Sequence, residues 1–224
     1  MDFGLLKGRY LRFYYKCNLC GHLVASHKKE LFDQLYDKIY FESTYKSKKQ
    51  LSKIFTRISK LPKSKSDNFH RVKRIKQMIK ILFKKQKISI LDIGSGTGIF
   101  PIKIMNKMYD VTSIEPSKAC TDFIKKKSNL KIKVFNSDFL KIKINKLKKY
   151  NLITFNKVEV PDIKAIHDKK EGKEREEFGL GHHHVFSKKS LENVFKISKI
   201  NLISIKSIRE ASGKYTVYAF GSKK

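Results

Sequence analysis

Leu91-Asp92-Ile93-Gly94-Ser95-Gly96-Thr97-Gly98 is the stretch that decides the fold. It closes ISILDI (88–93), a short apolar run rich in β-branched residues, and opens directly onto IFPIKIMNKM (99–108), a segment compatible with a helix. Glycines at alternate positions let the backbone turn sharply and let a ligand approach without side-chain obstruction. Their spacing restricts the ligand. Dinucleotide sites use G-x-G-x-x-G against a pyrophosphate at a helix N-terminus, and P-loops end in Gly-Lys-Ser/Thr. This loop is G-x-G-x-G with no such lysine. It suits a nucleoside that carries an amino-acid tail.

Downstream, β and α patterns alternate. VTSIEP (111–116), KIKVFNSDF (131–139) and NLITFN (151–156) read as strands, while SKACTDFIKKK (117–127) and SKKSLENVFKIS (187–198) have helical spacing. This alternation predicts a doubly wound α/β, Rossmann-like parallel sheet. NLISIKSIRE (201–210) and KYTVYAFGS (214–222) close the chain as two strands about a turn at Ser212-Gly213, hence an antiparallel pair. Glu115 ends the second strand, where α/β nucleotide sites place an acid for the ribose hydroxyls. Asp138 and Phe139 end the third, offering a polar group and an aromatic edge to a base. All lie at carboxyl ends of parallel strands, where open sheets bind ligands.

LDIGSGTG, SIEPS (113–117) and SDFL (137–140) together resemble the first three motifs of the class I S-adenosylmethionine (SAM)-dependent methyltransferases. The resemblance covers residues 88–160 well and 185–221 in outline. It implies that Asp92 organises the loop and holds the methionine ammonium through water. Gly94, Ser95 and Gly96 would line the amino-acid tail, Glu115 would bind the ribose, and Asp138 with Phe139 the adenine. Gly98, Pro116 and Asn156 complete the implied cofactor set. The segment EREEFGLGHHHVFSKKSLENVF (174–195) resembles a bacterial subgroup acting on small molecules or sugars, in which a histidine precedes the last helix near the substrate mouth. His183 or His184 is thereby a candidate general base.

The N-terminal part, 1–65, is expected to form a separate C-x-x-C and helical segment that caps a methyltransferase domain at 66–224. Apolar stripes predict helices over 28–40, over 51–61 ending at Pro62, and over 69–83 with Asp67 as N-cap. Members of the same subgroup carry an N-terminal zinc ribbon with two C-x-x-C pairs. KCNLCGHLVASHKKELFDQLYDKIYFESTY (16–45) resembles its second half. Only Cys17 and Cys20 form such a pair here, and a closed zinc site takes four ligands. His22 and His27 could complete a set around Zn; a pair of free thiols on a remnant turn is the other reading. Cys120 reads as a core residue.

The resemblance breaks at NLITFNKVEVPD (151–162), which runs from the fourth strand to the family's fifth-strand ending without a gap. A parallel crossover takes about a dozen residues with its helix, so the sheet is expected to be shortened there, or 163–190 rebuilt as an irregular cap. That region commonly contacts the acceptor, so activity is less secure than SAM binding.

The chain has 224 residues with 51 Lys+Arg against 20 Asp+Glu, a net charge of +31. Such charge by itself suggests nucleic acid or an anionic membrane. Yet only seven of the basic residues are arginine, and the lysines are spread throughout, interleaved with Ile and Asn. Proteins that grip phosphates commonly use the guanidinium fork as well. A small-molecule or sugar-linked acceptor is therefore favoured, with RNA methylation, or SAM binding with a degenerate acceptor site, as the alternatives. No run approaches the ~18 apolar residues of a membrane span, no signal peptide is visible at the start, and three cysteines fit a reducing bacterial cytoplasm. Oligomeric state leaves no trace in the pattern.

Overall fold

The computed structural model describes residues 13–26, 45, 47–84, 86–156, 161–167 and 182–223. The predicted helix over 28–40, His27 and most of 157–181 lie outside them. In chain order the elements begin with strands β1 (Phe13–Lys16) and β2 (Leu23–Ser26) and helices α1 (Lys48–Ser59) and α2 (Asp67–Phe83). Then come β3 (Ile88–Ile93), α3 (Ile99–Ile104), β4 (Tyr109–Ile114), α4 (Lys118–Lys127), β5 (Lys133–Phe135) and β6 (Leu152–Thr154). The last are β7 (His184–Val185), α5 (Lys188–Ile197), β8 (Asn201–Arg209) and β9 (Tyr215–Ser222). The chain divides into two compact units, residues 34–158 and residues 1–33 with 159–224. The boundary expected at 65/66 falls inside the first of these, between α1 and α2.

In the 34–158 unit a parallel sheet runs in the order β5-β4-β3-β6. β3 is central and buried at five of six positions, as a strand covered on both faces must be. Leu91, Ile93 and Ile114 pack with Phe135, Ile142, Leu147 and Tyr150, so one face is covered by the short 3₁₀ turns of 139–150. Ile90 and Asp92, offset by one residue from that set, belong to the opposite face. α1 starts at Ser47, whose hydroxyl accepts the Gln50 N–H, and buries Leu51 in a cluster with Tyr45 and Cys120. Cys120 is thus a core residue of α4. α2 is capped by Ser66, which accepts the Phe69 N–H at 3.2 Å. Asp67, expected at the cap, is the first helical residue instead. Ser66 has the extended backbone a cap needs, and Asp67 sets its charge against the helix N-terminus.

Two strands are shorter than their apolar runs: β5 takes three of residues 131–139 and β6 three of 151–156. Among the described residues β6 is the last strand of the parallel sheet; most of 157–181, which bears on the expected shortening, lies outside them.

The other unit is antiparallel. β1 and β2 form a hairpin around Cys17–Gly21, and β2 pairs on with β7 through Leu23–Val185 and Val24–His184. Pro161 and Asp162 make isolated bridges to Thr216 and Phe186 rather than a strand. α5 begins with a reciprocal cap, in which Ser187 Oγ accepts the Ser190 N–H and Ser190 Oγ accepts the Ser187 N–H. β8 and β9 form the expected closing pair, turned at Gly213 with φ +89°. No helix among the described residues is long and apolar enough to cross a membrane.

Candidate functional site

Asp92 ends β3 with its carboxylate enclosed, 1% exposed. Its Oδ2 accepts the Ser95 hydroxyl at 2.8 Å, and Oδ1 accepts Thr154 Oγ1 at 2.8 Å and Asn156 Nδ2 at 3.0 Å. One acid therefore ties the glycine loop to the end of the fourth strand. Burial raises its pKa above the ordinary 3.8, and the bonds from Asn156, Ser95 and Thr154 and the Arg71 charge of α2 oppose that rise. The loop is held from both ends. Gly94 and Ser95 donate their N–H groups to Ile114 O, and Gly96 donates to Glu115 Oε2 at 2.7 Å.

Gly98 serves packing. A Cβ there would lie 2.4 Å from Ile124 Cγ1, and its φ of +72° is one that side chains rarely adopt. The last glycine of the loop thus lets the start of α3 close against α4.

Glu115 is 7% exposed. Beyond Gly96, its Oε1 accepts the Ser117 N–H at 3.0 Å, so it fixes both the glycine loop and the turn into α4. That turn, which includes Pro116, is held by Asn136: its Nδ2 donates to Pro116 O at 2.6 Å and Glu115 O at 3.2 Å. Asp138 lies on the exposed loop after β5 and accepts the Leu140 N–H at 3.0 Å. Phe139 stands edge-on to Phe155 with ring centroids 6.3 Å apart, both partly exposed. Asp92 thus gathers Ser95, Thr154 and Asn156, and Glu115 gathers Gly96 and Ser117, the two groups being joined through the loop backbone at Ser95-Gly96. The structure gives Asp138 and Phe139 no bond to either.

Two contributors escaped the sequence reading. Thr154 was legible only as a strand residue, although a hydroxyl in an otherwise apolar strand beside Asp92 was a usable signal. Asn136 had none, because its role depends on where the third strand ends. Thr154→Val keeps the side-chain shape and removes one donor from a buried carboxylate. Hydrogen bonds to charged groups are worth about 1.5–3 kcal/mol, and each kcal/mol moves the melting point of a chain this size by about 2–4 °C. A fall of about 3–12 °C in a thermal melt is expected. An unchanged melt means that the bond is absent in solution.

In the other unit, His22 Nε2 lies 3.0 Å from His184 Nδ1, and His22 Nδ1 lies 3.3 Å from Ser190 Oγ. The rings of His22 and His184 stack at 5.2 Å, and Phe186 packs edge-on to His22. Burial, then the neighbouring His184, lower the His22 pKa below 6.5. His184 is therefore an oriented imidazole, whereas His183 contributes its carbonyl to Ala25 N–H. Cys17 and Cys20 stand close together on the β1–β2 turn. The Cys17 pKa is lowered from 9.0, chiefly by the Cys20 and Leu19 N–H groups and then by the Cys20 thiol. Among the described residues no group of three or more Cys, His, Asp or Glu is placed to hold a metal ion. Of the set that could hold zinc, Cys17, Cys20 and His22 are therefore not so placed, and His27 lies outside the described residues.

The family described as a methyltransferase domain matches residues 45–166. No curated protein sequence matches the chain. Among solved structures, magnesium protoporphyrin IX methyltransferase from Synechocystis PCC 6803, with bound SAH, superposes with TM-score 0.60 at 11% identity. That match covers 82% of this chain and 97% of that one, and the two share the Rossmann-like fold. The plantazolicin methyltransferase BpumL, in complex with a desmethylPZN analog and SAH, is 23% identical with TM-score 0.38. There the match covers 48% of this chain and 40% of that one, well under half of the relative's length.

Proposed function

The chain belongs to the methyltransferase-domain family, and on that footing we propose that it transfers a methyl group from SAM to a small-molecule or sugar-linked acceptor. The observation that carries the reading is the buried Asp92 carboxylate, bonded at once to the glycine loop and to the end of β6. It fits the donor's chemistry, because an acidic group beside an open-backboned loop suits the ammonium of an amino-acid tail. Glu115 fits too. It is an acid at the end of the second parallel strand, where α/β nucleotide sites hydrogen-bond ribose hydroxyls.

SAM supplies an electrophilic methyl on a sulfonium. The protein's task is then chiefly to orient and to exclude water. Asp92, Ser95 and Gly96 hold the tail, Glu115 the ribose, and Asp138 with Phe139 the adenine edge. Where the acceptor carries a proton, His184 is the proposed base. Ser190 Oγ donates to Ser187 O and so accepts from His22 Nδ1–H; His22 Nε2 then accepts from His184 Nδ1–H, which leaves His184 Nε2 to take a proton. A small acceptor is favoured over an RNA base because Asn156, the polar residue after the fourth strand, donates its amide to Asp92. That bond ties the side chain to the buried carboxylate.

Calorimetric titration with S-adenosylhomocysteine tests the donor assignment. The intact chain should bind. Glu115→Ala should weaken binding by about 10–100-fold, the equivalent of one or two charge-assisted hydrogen bonds. No heat with the intact chain, or equal affinity for both, overturns it.

A further inference from the structure

We propose that Cys17 and Cys20 form a reversibly oxidised dithiol, a modification site on the β1–β2 hairpin that is distinct from methyl transfer. Three observations carry it. The two residues bracket a turn closed by Gly21 N–H to Cys17 O and Cys17 N–H to His22 O, both 2.8 Å. Such a turn holds Cα atoms three residues apart within about 7 Å, and disulfides span about 4.4–6.8 Å. The Cys20 thiol is near enough to the Cys17 sulfur to help lower its pKa. Cys17 is exposed and Cys20 partly so, while Cys120 is buried in the core of the other unit. An oxidant can reach the pair and not the third thiol.

The hairpin is also held apart from its sulfurs. Ser187 Oγ donates to Cys20 O, and the strand pairings to β2 and β7 use backbone groups. Joining the sulfurs therefore breaks none of these bonds. With a low-molecular-weight disulfide as oxidant, Cys17 attacks one sulfur and expels one thiolate, leaving a mixed disulfide. Cys20 then attacks the Cys17 sulfur, forms the intramolecular bond and expels the second thiolate. The two thiol protons go to the two leaving thiolates. The cysteine pair is oxidised and the reagent is reduced to two thiols.

The test uses the full chain, reduced and then incubated with mixtures of oxidised and reduced glutathione. After acid quenching, alkylation in denaturant and intact-mass measurement follow. Expected is the loss of two hydrogens and of two of the three alkylatable thiols, with Cys120 remaining and dithiothreitol restoring all. Cys20→Ser should instead retain a glutathione adduct on Cys17, because nothing resolves it. An unchanged mass in the intact chain overturns the proposal, as does a persistent glutathione adduct or a disulfide-linked dimer. Metal analysis of the purified chain is the remaining arm. A stoichiometric bound zinc ion released by a chelator together with the two thiols makes the pair a metal site and overturns it.

Discussion

Asp92→Ala should lose S-adenosylhomocysteine affinity by at least about 100-fold, as expected when a buried charge and its bonds to the loop disappear together. It should also lower stability, because Ser95, Thr154 and Asn156 each lose an acceptor. The loss is limited, because the Ser95 and Thr154 hydroxyls keep their longer bonds to Asp92 O and Leu91 O and relief of the carboxylate's desolvation offsets part of it. Asp92→Asn separates the two effects. The Asn oxygen can take the bonds of Thr154 and Asn156, and its amide can face Ser95, whose hydroxyl both donates and accepts. The fold is kept and the charge is lost, so affinity should fall while the melt at acid pH, where Asp92 is itself uncharged, changes little. Equal binding by wild type and both variants would sink the assignment of Asp92 to the cofactor tail.

The same pair of proteins yields a pH signature. Burial raises the Asp92 pKa above 3.8 in the folded chain, so between the two values the folded state binds the proton that the unfolded state has released. Stability then falls as pH rises through that window and is level above the folded value. The usual salt-bridged carboxylate gives the opposite slope. Urea melts of wild type and Asp92→Asn from acid to neutral pH should therefore diverge, with wild type losing ground to the variant as pH rises. Parallel curves would mean that the carboxylate is not desolvated.

How legible this was in the sequence depends on the range of the interaction concerned. LDIGSGTG, Glu115 and the alternating elements announced the parallel sheet because strand, turn and helix signals are local. So were the helices ending before Pro62 and starting after Ser187. Ser66 was passed over for Asp67, since both are good caps and only the backbone angles choose between them. Thr154 was hidden because a strand residue gains its role from the register of a neighbour some sixty residues away, as in the pairing of Asp92 with Thr154. Asn136 was hidden because its role depends on β5 ending at Phe135, just before it. The His22–His184 contact was hidden for the same reason, joining residues 162 apart in the chain. Asn156 was assigned to the cofactor by resemblance. Its amide reaches Asp92, so its effect on binding would come through that carboxylate.

Gly98→Ala should be strongly damaging, and it should act on stability. The new Cβ meets Ile124 Cγ1 at 2.4 Å, Cδ1 at 3.2 Å and Cβ at 3.3 Å, so no rotation of a flexible tip removes the clash. Ile124 is fully buried, which leaves it nowhere to go. Overpacking of this kind costs about 1–3 kcal/mol, and the left-handed backbone at +72° adds about 1–2 kcal/mol for a side chain. Together, about 2–5 kcal/mol is a large share of the 5–15 kcal/mol typical of a domain, and a melt should fall by about 4–20 °C. Ile124→Ala alone is costly, since deleting a buried isoleucine loses about 2–5 kcal/mol, but it clears the two atoms nearest the new methyl. The double variant should therefore lose less than the sum of the two, by about 1–3 kcal/mol. Additive losses would mean that α3 and α4 do not meet at this glycine. If the glycine were needed only for the approach of a ligand, Gly98→Ala would melt like wild type and fail in the S-adenosylhomocysteine titration alone.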